Sequence, residues 1–131
     1  MDISDDAEIR ALIARIAFLS DEGDIEEYDS VYTEDAVWSA GSASNTGLAE
    51  IKASTRARRI EGSTGPGSHN RHITVPVDVH VDGDRASAVS YFLFVGSVNT
   101  DPQIRRFAVY DDAFVRTPQG WRCASRTIRQ G

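Results

Sequence analysis

What constrains this chain most is a change of hydrophobic period near residue 69: apolar side chains recur at helical spacing before it and alternate one by one after it. A helix and a sheet present their side chains with different repeats, so the first half should supply helices and the second half strands. Asp5 with Glu8 resembles a capping box, and Ile9, Leu12, Ile13, Ile16 and Leu19 then predict an amphipathic helix over residues 5–21. Gly23 ends it, and Asp24 can cap a second, short helix carrying Ile25, Tyr28, Val31 and Tyr32 on one face. A short strand follows at 35–40, then a loop, SASNTG. Thr46 is the expected cap of a third helix whose apolar content (Leu48, Ile51, Ala53) is thin and whose far end is rich in arginine, the pattern of a helix that covers a sheet.

Residues 61–68, EGSTGPGS, read as a loop, either a connector or a rim. Ile73, Val75, Val77, Val79 and Val81 then fall on one face of a long strand, and DGDR at 82–85 turns it into a partner at 86–96. That partner ends in a continuous apolar run, expected where both faces are covered. Strands at 105–117 and 121–129 follow, joined by a turn at PQG. Helices followed by antiparallel strands specify an α+β fold, and no linker or repeat divides residues 1–131 into more than one domain. The helices should lie across the concave side of a curved sheet and enclose an interior volume.

All 131 residues fit one domain, long enough to bury roughly two-thirds of its unfolded surface. The net charge of -6 argues against nucleic acid as a partner. The N-terminal residues are acidic and the apolar runs short, so neither a leader nor a membrane anchor is expected. Cys123 is alone, which leaves no internal disulfide and makes a reducing cytoplasm the expected location; no zinc-ligand spacing or nucleotide motif is present, so neither metal nor cofactor is expected. Residues 1–36 hold twelve of the twenty acids, whereas arginines gather at 55–59 and 122–129, a pattern of solvated faces or of pairing between subunits.

Three histidines are available for chemistry. His80 sits just before the hairpin turn and His69 follows the glycine-rich loop, so both are expected in solvent; His72 opens the strand and is the better candidate base. It is out of phase with the valine face, so reaching an interior cavity requires that the cavity lie on the other face or that the strand bulge. A base of this kind needs a carboxylate to fix its tautomer and stabilise the imidazolium. Asp21, at the end of the first helix and near its buried side, could reach inward, although an aspartate there can equally be a cap or a solvated side chain.

Three segments, LSDEGDIEEYDSVYTEDAVW (19–38), RHITVPVDVHVDGDRASAVSYFL (71–93) and YDDAFVRTPQGWRCASR (110–126), together resemble the SnoaL-like branch of the nuclear transport factor 2 superfamily. The resemblance spans nearly the whole chain and implies a cone-shaped, highly curved sheet wrapped by N-terminal helices around an apolar pocket. Members such as scytalone dehydratase and hexachlorocyclohexane dehydrochlorinase carry an aspartate at the end of the first helix and a histidine at the start of the long strand, here Asp21 and His72. The seventeen-residue interval from Asp21 to Trp38 matches, and Arg126, five residues after Trp121, corresponds to an arginine that stabilises negative charge. Ile16 stands where the dehydrochlorinase has lysine, so chloride elimination is not expected. By the same analogy Tyr110, and not Tyr28 or Tyr32, lines the pocket; Trp38, Ile16, Ile25 and Phe92 are further candidate substrate contacts, although each, Ile25 and Phe92 above all, can equally be ordinary core.

The resemblance implies a cofactor-independent lyase, isomerase or cyclase acting on a hydrophobic, cyclic small molecule. His72 would abstract a proton, Asp21 orient it, and Arg126 or Tyr110 support the developing anion. Two other classes occur on the same fold: a noncatalytic small subunit of a ring-hydroxylating dioxygenase or ligand-binding pocket protein, and an epoxide hydrolase built on an Asp-Arg-Asp set, to which Asp112 could contribute. A partly apolar outer sheet face, with relatives that self-associate, implies a homodimer or homotrimer.

Overall fold

The computed structural model describes residues 4–131. Helix α1 (Asp5–Asp21) is capped by Ser4, whose hydroxyl accepts the Ala7 N–H at 3.2 Å, so the cap lies one residue before the expected Asp5. Ile9, Ile13, Ile16 and Leu19 are buried along one stripe of α1; each contributes about 1.5–3 kcal/mol on leaving water. Asp24 caps a 3₁₀ helix (Ile25–Ser30) by accepting the Glu26 N–H at 2.9 Å. Strand β1 (Tyr32–Ala40) then turns into β2 (Ala43–Thr46), a short edge strand where a loop was expected. Helix α2 (Leu48–Ile60) is capped by Gly47 and not by Thr46; Thr46 instead donates its backbone N–H to Glu50.

Four long strands complete the chain: β3 (Arg71–Asp82), β4 (Arg85–Gly96), β5 (Gln103–Thr117) and β6 (Gly120–Arg129). They form one curved, unclosed sheet in the order β2-β1-β6-β5-β4-β3, antiparallel throughout except for the parallel pair β1–β6. The α+β class and its helix-wrapped sheet are as the periodicity predicts.

The phase of β3 differs from expectation. Pro76 pairs with Ser90 and Asp78 with Val89, so Val77 is an extra residue, a bulge that exchanges the two faces of the strand. Before it His72, Thr74 and Pro76 register with Phe94, Phe92 and Ser90; beyond it Val79 registers with buried Ala88. Ile73 and Val75 are therefore half exposed on the outer face, while Val79 packs against the core. The five apolar residues never shared one face. Proline at the bulge removes a donor from an edge strand, where the sheet loses nothing by it. Similarly, the apolar run of β4 is not covered on both sides: Phe92 is buried, but Tyr91 is 47% exposed.

α1 and the 3₁₀ helix cover one end of the concave face with a core that includes Phe114, Trp121 and Cys123. A second cluster, Phe92, Ala108, Tyr110 and Ile128, lies along the same inner face. Trp38 packs against both. Among the described residues no helix is long and apolar enough to cross a membrane.

Candidate active site

The last turn of α1 reaches the mouth of β3 and joins two residues that are 51 apart in sequence. Asp21 is 5% exposed. One of its carboxylate oxygens lies 2.6 Å from His72 Nδ1 and the other accepts the His72 backbone N–H at 2.8 Å. A carboxylate on Nδ1 makes that nitrogen the proton donor, which leaves Nε2 with its lone pair. The ring packs against Phe94 and Phe92, with centroids 4.9 and 6.0 Å away. His69 and His80 lie outside the cavity described below.

What holds Asp21 in place comes from α2. Arg59 Nη2 donates to the carbonyls of Leu19 at 2.8 Å, Ser20 at 3.3 Å and Gly23 at 2.9 Å, satisfying the open C-terminus of α1 on both sides of Asp21. The glycine-rich loop lies over this arginine: a Cβ on Gly65, which has φ +88°, would stand 2.6 Å from the Arg59 side chain. Arg71, next to His72, bonds Glu22, next to Asp21, at 2.7 Å.

Farther along the sheet Asp112 on β5 and Arg126 on β6 form a bidentate pair, Nε to Oδ1 at 2.8 Å and Nη2 to Oδ2 at 2.9 Å, almost fully buried. Arg126 is thus a buried residue of the inner sheet. Burial opposes its charge, but Asp112 outweighs that and raises its pKa well above the usual value, so it stays a cation. Its guanidinium lies 3.7 Å from the centre of the Tyr110 ring, which stacks on Phe92 at 4.3 Å. Burial pushes the Tyr110 phenol up to about 12, against the pull of Arg126, and raises Tyr32 for the same reason. Both remain neutral hydrogen-bonding groups at physiological pH.

These residues surround a cavity of about 250 Å³. Of the expected residues His72, Arg126, Trp38, Tyr110 and Phe92 line it, with Asp21 behind the histidine. Ile16 and Ile25 do not: both are packed in the core, Ile16 because α1 reaches the cavity only with its final turn, and Ile25 because the 3₁₀ helix presents Tyr28 to the cavity instead. Tyr28 and Tyr32, expected elsewhere, also line it, and the Tyr28 hydroxyl lies 3.1 Å from that of Ser20. Arg58 and Arg106 stand on the wall unforeseen. Ile51, Thr55 and Arg58 recur at i, i+4 and i+7, a spacing that could have marked the inner face of α2. The loop at 61–68 proves to be a rim, contributing Ser63 and Thr64. Among the described residues Arg126 bonds one carboxylate, Asp112, while Asp21 is engaged by His72, so no Asp-Arg-Asp set is assembled.

Known proteins share this fold. The model of the SnoaL-like domain matches residues 1–127. An NTF2-like protein with a cystatin-like fold from Novosphingobium aromaticivorans is similar at 32% identity, over 94% of this chain and 80% of that one, with a TM-score of 0.77. A cystatin-like-fold protein of unknown function from Nostoc punctiforme shares the fold at 22% identity (98% and 93% covered, TM-score 0.82), as does Aln2 from a Streptomyces species at 21% identity (99% and 94% covered, TM-score 0.80). No curated protein matches the sequence.

Proposed function

The chain belongs to the SnoaL-like domain family, which includes cofactor-free isomerases and cyclases, and from that premise we propose that it is a cofactor-independent lyase, isomerase or cyclase working on a hydrophobic, cyclic small molecule. The observation that carries this reading is the double engagement of Asp21, which bonds both the ring and the backbone of His72. A single carboxylate thereby sets the tautomer and the position of the base. Nε2 of His72 takes a proton from the substrate carbon, and Asp21 stabilises the imidazolium that results. The neutral Tyr110 phenol and the Arg126 guanidinium support the charge that develops on the substrate. Arg126 already shares its charge with Asp112, so its part is a directed hydrogen bond more than a free cation. Proton return or loss of a leaving group then decides between isomerisation, cyclisation and elimination.

The test is solvent deuterium exchange into a panel of cyclic ketones and phenols with acidic C–H bonds, followed by NMR, in the intact protein and in Asp21→Asn and His72→Gln. Exchange should fall about 10²–10⁴-fold in both variants, and ¹⁵N shifts should show that Asp21→Asn loses the pure Nδ1–H tautomer. Full exchange in His72→Gln would end the reading.

The outer sheet face also supports self-association. Ile73, Val75, Tyr91 and Phe107 are 43–53% exposed on three adjoining strands, and the rings of Tyr91 and Phe107 lie 5.6 Å apart. A second copy of the chain, a homodimer or homotrimer contact, would cover this patch.

A further inference from the structure

We propose that the cavity takes an anionic substrate, an apolar molecule bearing a carboxylate or comparable acidic group, and that Arg58 and Arg106 select it. The proposal rests on this cavity being the substrate site of the reaction described above and adds the chemical class of its occupant.

The charge distribution carries the argument. The chain has twenty acidic and fourteen basic side chains, and eight of the basic ones, including Lys52, Arg56, Arg71 and Arg116, contact a carboxylate. In such an excess of acid, a guanidinium without a carboxylate partner stands out when it faces a cavity. Arg58 and Arg106 are two of these, on two different layers: Arg58 comes from α2 and Arg106 from β5. Neither forms a salt bridge with an aspartate or glutamate among the described residues. Arg58 donates only to the neutral hydroxyls of Ser54 at 2.7 Å and Thr55 at 3.3 Å, and lies 5.6 Å from the centre of the Trp38 ring. That contact holds the guanidinium on the wall and leaves further N–H donors free. The dipole of α2 explains a basic residue in its last turn, but not its place on the cavity wall.

The other charges at the cavity cancel only in part. Asp112 neutralises Arg126, which leaves one negative charge, that of Asp21 beside the neutral His72, against the two guanidinium charges of Arg58 and Arg106. With Arg58 half-buried and Arg106 exposed, the walls carry net positive charge in a protein whose net charge is -6. Thr64 adds a donor: its hydroxyl is buried, has no partner among the described residues, and belongs to a residue of the same wall. A buried hydroxyl left unbonded costs stability, which a bound acceptor would recover.

Register sets the distance between recognition and chemistry. Arg106 pairs with Phe94 and Phe94 with His72, so the arginine and the base stand in one row across three strands. Two strand spacings place their backbones about 10 Å apart. A single fused-ring molecule can span that separation, its acidic group toward the arginine and its reacting carbon toward the imidazole.

Calorimetric titration of the full chain with benzoate, naphthoate and anthracene carboxylate, each against its neutral carboxamide, tests this. The carboxylate should bind roughly ten- to a hundredfold more tightly than the carboxamide. Arg58→Gln and Arg106→Gln should each narrow that ratio and together bring it near one, Arg58→Lys should restore part of it, and added salt should narrow it. Circular dichroism checks that each variant is folded. Arg85→Gln, at an exposed arginine of β4 that does not line the cavity, should keep the ratio; loss of selectivity there would overturn the assignment to Arg58 and Arg106. Equal affinity for the two ligand forms, an unchanged ratio in the double variant, or no carboxylate binding up to the solubility limit would overturn the proposal. Because the readout is binding, a failure of the proton-abstraction chemistry leaves this ratio measurable and separate.

Discussion

Replacing Asp112 by asparagine keeps the size of the side chain and removes its charge, leaving the Arg126 guanidinium in a site where the side chains of Arg126 and Asp112 are only 5% and 0% exposed. Removing one member of a buried ion pair costs about 3–5 kcal/mol, because the survivor keeps its desolvation penalty without compensation. Two features of this site favour the lower figure: the Tyr110 ring 3.7 Å away retains part of the cation's stabilisation, and the adjoining cavity gives water a route to it. A loss of about 3 kcal/mol is expected. For 131 residues the unfolding entropy is on the order of 0.28 kcal/mol/K, so Tm should fall by about 10 °C. Urea denaturation and calorimetry measure both quantities. The Asp112→Leu/Arg126→Met double variant removes both charges and should recover most of the loss, to within about 1 kcal/mol of the parent. If the single variant loses less than about 1 kcal/mol, or the double variant is no more stable than the single one, then the pair is not held in a desolvated site and the reasoning is wrong.

Other outcomes follow from the same contacts. Arg59→Met should weaken the C-terminus of α1 and cut His72-dependent exchange while substrate affinity changes little; a parallel loss of both would mean general unfolding, which Arg59→Lys and circular dichroism would reveal. Arg116, first, and the Trp121 indole, second, hold the Asp5 carboxyl below the usual range by hydrogen bonding. A depressed folded pKa gives stability that is present above the unfolded value and disappears as pH falls through the folded one. The urea midpoint of the parent should therefore exceed that of Asp5→Asn at neutral pH, with the gap closing below about pH 4; a gap independent of pH would remove that carboxylate from the account. Light scattering on a sizing column should report more than one chain per particle, reduced to one by Tyr91→Lys without change in circular dichroism, and a monomeric parent would refute self-association through the outer face.

The candidate site was partly legible in one dimension. The positions of Asp21 and His72 could be picked out because each closes or opens a periodic segment, and the interval to Trp38 carried the resemblance. Arg58 and Arg106 could not be, since a basic residue at a helix end or in an alternating strand has the same local signature whether it meets water or a cavity. Ile16 and Ile25 carried the opposite error: an apolar residue near a predicted pocket is indistinguishable in sequence from one in the core beside it. Tyr28 and Tyr32 were missed because an amphipathic stripe says that a face is buried, not what it is buried against.

What the sequence by itself determined is local: the helical and alternating periods, the cap at Asp24, the turns at 82–85 and 118–120, and hence an α+β chain with its helices first. These depend on residues a few positions apart, whose interactions are present in any conformation of the rest. Only the tertiary structure decided which face of β3 looks inward. The extra residue at Val77 leaves the apolar alternation unbroken in the sequence while rotating its meaning by half a turn in space. It also decided that Asp21 meets His72 and Asp112 meets Arg126, because those contacts are set by strand register and by the end of a helix docking across 51 residues, quantities to which no single stretch of chain has access.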